Sequence, residues 1–432
     1  MKANGVYRIL YASFTLQYAS LSFPPCFIRS NGSVVTKKNV ARIELFLSAV
    51  AAVAEVISLI FLYKYTSQPS LYNIIMVVWN FSCAVSSVLS ACEVLTKLGV
   101  MKNALEEIRI LSSVVRLRKE QLARLKYKIV VWIVALPTLM ISVSVFILAA
   151  GYPLHIAMLL YFTNTKLYLQ PMFVQVQFLA LMTVVQYYME MVNAKLTGMH
   201  FAGQSALVCK SHGNIRYGRT DDRRMEFECE VADEVEKVRK FYERIHDLKT
   251  AVNEAFTLRL WLDTLQGMIN TITFVYFGMI HSRQLKNFED NYMIKVDVCF
   301  LLYQAVLFTV LFLQKVMICD RVSQNARTVG VNVHRIFSRF HCERVRQELT
   351  TFSLELLHRD PSVRGNNFFT IDYRLIFEVT YPNGRPARLR CNAFSFFQLL
   401  NGIIMLLIAL LQFQFAGTDE EADVMNDYIW TR

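Results

Sequence analysis

Eight side chains in this sequence have the types that would orient a small neutral molecule: Trp79, Ser144, Tyr168, Gln175, Thr273, Tyr276, Tyr303 and Gln304. They supply rings, amides and hydroxyls among apolar neighbours, and a pocket needs apolar walls with a few orienting polar groups. Tyr72, Asn80, Ser142, Phe146, Gln170, Gln177 and Thr271 extend the same set. The blander alternative is that Tyr and Trp gather at membrane interfaces, and that Gln and Ser bond between helices. Other chemistry has little support. The chain has no Gly-rich phosphate loop, no His-Glu-x-x-His, no Cys-x-x-Cys and no Gly-x-Ser-x-Gly. Its eight His are scattered without ligand spacing. The chain is therefore not expected to be an enzyme, and no cofactor and no metal are expected. One acid, Glu55, stands inside an apolar run, where a charge costs about 2.5–3.5 kcal/mol. An ion or proton site would want a second acid beside it. A neutral Glu hydrogen-bonded between helices would not.

The elements that must position these residues follow from composition. Of 432 residues, 54% are hydrophobic and 19% charged, against about 25% charged in soluble chains. With 31 Phe and 20 Tyr, the chain is also too aromatic for disorder. Seven runs are long and apolar enough to cross a bilayer: 43–63, 71–95, 129–151, 167–188, 260–280, 296–317 and 393–415. The net charge of +12 resolves into 39 Lys and Arg on one side of these runs and six on the other. Positive loops face the cytosol. The fold class expected is thus all-α: a seven-transmembrane helical bundle, N-terminus cytosolic and C-terminus extracellular, with cytosolic helical extensions. The +12 is a topology marker, and no nucleic-acid partner is expected.

This topology divides the chain. Residues 1–42 form a cytosolic N-terminal segment, and 43–190 hold the first four spans. A cytosolic loop and helix occupy 191–259, followed by the fifth and sixth spans at 260–317. A second cytosolic helical region covers 318–392, the last span 393–415, and an acidic extracellular tail 416–432. The moderately apolar stretch 7–28 contains Gln17 and Pro24-Pro25 and reads as cytosolic or interfacial rather than as a signal peptide. Apolar residues from Val231 to Val252 recur at three and four, predicting a helix that runs into the fifth span. A like pattern covers 331–357, and the charged stretch 210–224 reads as a loop. With most of the nine Cys in cytosolic loops or spans, a disulfide framework is not expected.

Five short segments carry a resemblance. They are Leu354-Glu-Leu-Leu-His-Arg359, Phe368-Phe-Thr-Ile-Asp-Tyr-Arg-Leu-Ile-Phe377, Leu410-Leu-Gln-Phe-Gln414 and Phe241-Tyr-Glu-Arg-Ile-His-Asp-Leu248 with Val252-Asn-Glu-Ala-Phe256 following it. Together with length and inverted topology, they resemble the insect gustatory receptor family. The resemblance implies a tastant-gated, non-selective cation channel that depolarises a chemosensory neuron. It implies assembly as a homo- or heterotetramer with other gustatory receptor subunits in the lipid bilayer of the plasma membrane, on sensory dendrites. It further implies an outward-facing pocket among spans two to six, and a last span lining the pore with Gln412 and Phe413 at its constriction. A hydrophobic ring that dewets is a gate, and a nearby amide can hydrate a cation. Two departures stand out. Met405 and Leu406 occupy the family's Thr-Tyr positions, and an insertion at about 380–392 separates the Phe-Phe-Thr-Ile-Asp motif from the last span. The alternative function, from Glu55 and the Gln-rich fourth run, is a secondary transporter of a small solute. An odd span count and the lack of an inverted repeat weigh against it.

Overall fold

Helix α1 (Lys38–Tyr65) and helix α2 (Leu71–Thr96) turn the usual burial pattern inside out. Their buried positions are small or polar: Ala41, Glu44, Ser48 and Ala51 on α1, and Cys83, Ala84, Ser87, Ser90 and Ala91 on α2. Phe46, Val53, Ile57, Ile60, Val78 and Phe81 point outward, Phe46 with 66% of its surface free. Small residues let two helices approach closely within a bilayer, where tight packing replaces the hydrophobic effect. A row of large apolar side chains facing water would invite aggregation, whereas facing acyl chains it costs nothing. Among the described residues, the segment Val77–Thr96 meets the length and apolarity needed to cross a membrane. The computed structural model describes residues 10, 26–28, 34–65, 71–114, 123, 127, 170–211, 220–267, 269, 270, 273, 292–340, 342–365 and 369–372.

The rest of the described chain follows the ordinary rule of apolar inside and charged outside. Helix α3 (Leu98–Val114) buries Ala104, Leu105, Ile108 and Leu111 at helical spacing. Helix α4 (Gln170–Ser211) packs on α5 (Thr220–Ala255) and α6 (Tyr292–Phe337), and α7 (Glu343–His358) packs on α5 and α6. The α4–α5 pair is antiparallel. Phe178 meets Phe256 at 5.6 Å between ring centroids, Tyr188 meets Phe241 at 6.0 Å, and Lys195 pairs with Glu234 at 2.6 Å. Asn193 of α4 donates to the Asn325 carbonyl at 2.9 Å and accepts from Asn332 at 3.0 Å, fixing the register against α6. Phe352 of α7 lies against Tyr242 of α5 at 5.6 Å, flanked by Arg239 on Glu348 and Glu355.

Several expectations are corrected here. The apolar pattern over 331–357 is two helices, because α6 runs on through Phe337, residues 338 and 339 turn, and α7 begins at Glu343. The helix leading into the fifth span is interrupted by a turn at Phe256. The expected loop 210–224 is helical at both described ends, through Ser211 and from Thr220. The basic loop after the second span opens as α3. The fold is mostly helical but carries two small antiparallel ribbons. In one, β1 (Cys26–Ile28) pairs with β2 (Val34–Thr36). In the other, β3 (Arg364–Gly365) pairs with β4 (Phe369–Thr370). Leu10, in the stretch read as interfacial, is buried in the main core. The third and seventh runs, 129–151 and 393–415, lie outside the described residues.

Because Phe352 is fully enclosed, Phe352→Ala should lower unfolding stability by about 3–5 kcal/mol. Leu357 is 79% exposed, so Leu357→Ala should stay within about 0.5 kcal/mol. Thermal unfolding of the detergent-purified variants checks this; equal midpoints for the two would contradict the packing described.

Candidate ligand site

Residues 257–267 are helical, as are 269, 270 and 273. Along this helix Arg259, Asp263, Gln266, Asn270 and Thr273 recur at intervals of four and three, so they share one face. All five are buried, none more than 9% exposed. A polar stripe inside an apolar helix demands partners, since an unpaired buried polar group is costly. They come from α2, α4 and α6.

At the start of the helix, Glu93 of α2 reaches across. Its Oε1 accepts the Leu258 N–H at 2.7 Å and its Oε2 the Arg259 N–H at 2.8 Å. Those amides have no partner in the first turn of a helix, and the anion also complements the positive end of the helix dipole. The capping carboxylate thus comes from another helix. One turn on, the Arg259 side chain approaches Asp263 at 4.0 Å, and the Asp263 carboxylate accepts a hydrogen bond from Gln175 and feels the charge of Lys315. Glu93, Arg259, Asp263 and Lys315 are each at most 6% exposed. With Glu44 of α1, which is 5% exposed and also felt at Arg259, three carboxylates and two cations gather inside the bundle, drawn from α1, α2, the helix that begins at residue 257, and α6.

Further along the stripe the groups are neutral. The Trp79 indole N–H of α2 donates to Asn270 Oδ1 at 2.9 Å. The Gln266 amide donates to the same oxygen at 2.7 Å and to Cys83 Sγ at 2.9 Å. The Cys83 thiol itself lies 3.9 Å from Asn270 Oδ1. An amide oxygen has two lone pairs, so three donors converging on Asn270 leave one poorly served. A hydroxyl or carbonyl on a small molecule could exchange with one of them. An indole face and an amide among apolar helices are the ingredients of a site for a neutral aromatic compound.

The structure brings Trp79 into this network and puts Thr273 on the same helix face, buried. Gln175 instead joins the charged end through Asp263. Tyr303 and Gln304 belong to α6, with side chains outside the described residues. Ser144, Tyr168, Tyr276, Gln412 and Phe413 lie outside the described residues altogether. Glu55 is half-buried on α1 and its charge is felt at Cys83. Sequence reasoning missed Glu93, Arg259, Asp263, Gln266 and Asn270. The signal was available: a polar residue at every third or fourth position through an apolar run.

Beyond the bundle's charged end, α5 holds the chain that follows α7. Lys249, 3% exposed, donates to the backbone carbonyls of Asp360 and, at 3.0 Å, Ser362. His246 Nε2 lies 3.2 Å from the same Asp360 carbonyl. The Arg364 N–H donates to Asn253 Oδ1 at 3.2 Å. Arg359 donates to Glu243 Oε1 at 2.9 Å and reaches Asp247 at 3.4 Å. Burial pulls the Lys249 ammonium down to about 8, with Asp360 opposing. Burial and the nearby Lys249 likewise hold His246 below its usual value. Burial works against the Asp360 carboxylate, but hydrogen bonds from Ser362 prevail and keep its pKa low.

Truncating Glu93 to Ala leaves Arg259 buried with less negative charge and orphans two amides. The expected loss is about 3–5 kcal/mol, the usual effect of breaking a buried pair. Adding Arg259→Met should restore part of it. Thermal midpoints from size-exclusion of solubilised protein test this, and an unchanged midpoint for Glu93→Ala would refute the capping role.

Comparison with known proteins bears on identity. The sequence model of the 7tm chemosensory receptor family matches residues 18–380. No curated protein matches at a significant level. Among solved structures, the insect olfactory receptor OR5 from Machilis hrabei is similar with a TM-score of 0.57 and 11% identity. The alignment covers 91% of this chain and 96% of that one. The same receptor in complex with eugenol gives a TM-score of 0.58 and 11% identity, covering 94% and 97%. At such identity the likeness is one of fold. The family match ends where the sequence reading places the insertion. It takes in most of the chain, including the helices that carry the buried polar face, and on that ground this membrane protein belongs to the 7tm chemosensory receptor family.

Proposed function

We propose that the chain is a gustatory receptor, a subunit of a tastant-gated, non-selective cation channel that depolarises a chemosensory neuron. The observation that carries the reading is the partly buried contact of Trp79 of α2 with Gln266 and Asn270 on the helix that begins at residue 257. A neutral aromatic compound entering there would exchange hydrogen bonds that already tie two spans together. Binding would thereby bias how those helices sit, which is what a ligand must do to shift a conformational equilibrium. The eugenol complex of the olfactory receptor, a fold neighbour, supports a small aromatic ligand. The gustatory assignment rests on the short C-terminal motifs of the sequence. Four subunits around a pore, an N-terminus in the cytosol and a plasma-membrane location on sensory dendrites complete the reading. In this reading the last span lines the pore, with Gln412 and Phe413 at its constriction.

Expressed in oocytes, the protein should pass ligand-evoked cation current that persists under G-protein blockade. Solute uptake without conductance would instead favour a transporter. Trp79→Ala should shift the concentration for half-maximal current by about tenfold, the worth of a lost indole contact of roughly 1.4 kcal/mol; an unmoved dose–response curve would remove Trp79 from the site. Phe413→Ala should raise current in the absence of ligand, and an unchanged closed state would show that the ring does not seal the pore.

A further inference from the structure

The chain after α7 is folded onto α5 by an arrangement more specific than a loop needs. Ser362 donates to the Asp360 carboxylate through both its backbone N–H, at 2.9 Å, and its hydroxyl, at 2.7 Å, closing a tight turn. From there Arg364 pairs with Thr370 and Gly365 with Phe369 in the β3–β4 ribbon. The Ile371 N–H then returns to the Val363 carbonyl at 2.9 Å. Val363 and Ile371 are both enclosed in the main core. The result is a small hairpin with two apolar anchors beneath it and a buried amine at its base.

That amine is Lys249. The Asp360 carboxylate favours an ammonium here, but burial outweighs it, and the hydrogen bonds of Lys249 go to two backbone carbonyls. A Leu or Met there would pack the core as well but would leave the carbonyls of Asp360 and Ser362 without a donor in a buried place. The hairpin's position along the chain explains what such a clamp could do. On one side α5 leads, through the turn at Phe256, into the helix whose first amides Glu93 holds and whose polar face bears Asn270. On the other side the hairpin ends at Asp372, about twenty residues before the last apolar run. The clamp therefore joins α5, which leads into the helix that begins at residue 257, to the chain that precedes the last apolar run.

We infer that Lys249, with Asn253, is a positioning residue for channel opening: it fastens the 360–371 hairpin to α5, so that movement of the ligand-contacting fifth helix is passed to the segment entering the last span. This rests on the channel reading above. A clamp of this kind acts on how often the pore opens once ligand is bound. It leaves the pore's own conductance alone.

Two measurements separate the parts of the inference. In oocytes, Lys249→Met should lower maximal ligand-evoked open probability at least fivefold. Currents are normalised to surface receptor by biotinylation, and single-channel conductance should not change. Lys249→Arg, which keeps donors for both carbonyls, should recover most of the response. Open probability equal to wild type at equal surface abundance would overturn the inference. If Lys249→Met does not reach the surface, Asn253→Ala, which removes only the acceptor for the Arg364 N–H, is judged by the same criterion. Independently, hydrogen exchange on the purified protein should show faster exchange at Arg364 and Ile371 in Lys249→Met with α5 still protected. Unchanged exchange there would overturn the clamp whatever the currents show. A wild type with no evoked current would overturn the channel reading, and the exchange result alone would then decide the clamp.

Discussion

Arg259 is the residue that the described structure has to be built around. A guanidinium keeps its charge under any condition a protein meets, and this one is 2% exposed. Its attraction to a partner must offset the loss of water, and that is possible only with anions held close. Asp263 on the same helix and Glu93 on α2 meet that need. Glu93 also takes the amides of Leu258 and Arg259. One carboxylate thus satisfies a helix end and balances a charge, and α2 cannot drift from the fifth helix without abandoning both. Lys315 of α6 and Gln175 of α4 close on Asp263 from the other sides, so the same constraint draws four helices to one point.

Two kinds of surface diverge from this point. Toward α1 and α2 the outside is apolar and the inside small or polar, the pattern of helices solvated by lipid. Toward α5 and α7 the outside carries the ion pairs Arg344–Asp233, Lys237–Glu234 and Lys240–Glu236, and the inside is closely packed. Surface pairs of that sort are worth little individually. Stability in this part comes from the enclosed Tyr188, Phe352, Leu349 and Val345. The contrast gives the bundle a physical direction: neutral polar contacts at Trp79 and Asn270, fixed charges below them, then a water-solvated helical base that holds the hairpin.

A shared logic links the neutral and the charged parts of the stripe. Buried hydrogen bonds between spans are exchangeable with those of a ligand, because either choice satisfies the same groups. The charge cluster is not exchangeable in this way, since no neutral ligand could replace Glu93. In the proposed ligand-gated reading, it is the fixed point against which the contacts around Asn270 rearrange. The Phe369-Thr-Ile-Asp372 segment acquires a similar physical meaning. Phe369 faces Gly365 and Thr370 faces Arg364 in the ribbon, and Ile371 fills the core.

How much was legible beforehand differs by element. The helical character of 43–63, 71–95 and 296–317 followed from run length alone, and the helix across Val231–Val252 from its three-and-four spacing, because both signals are local to one element. The turn at Phe256 and the turn just after Phe337 carry no Pro or Gly to announce them. Of the proposed ligand residues, Trp79 was found by type. Gln175 was also chosen by type, yet it bonds Asp263, because an amide's partner depends on which helix lies across from it. Gln266 and Asn270 were overlooked, though their spacing marks them. What the amino-acid order determined by itself was the membrane character, the amphipathic faces and the stripe, since each depends on periodicity within one helix. Only the tertiary structure decided that Glu93 caps a helix begun at residue 257 and that Lys249 closes on a hairpin more than a hundred residues on. Those are contacts between elements, set by packing of whole faces, and no local pattern encodes the identity of the partner.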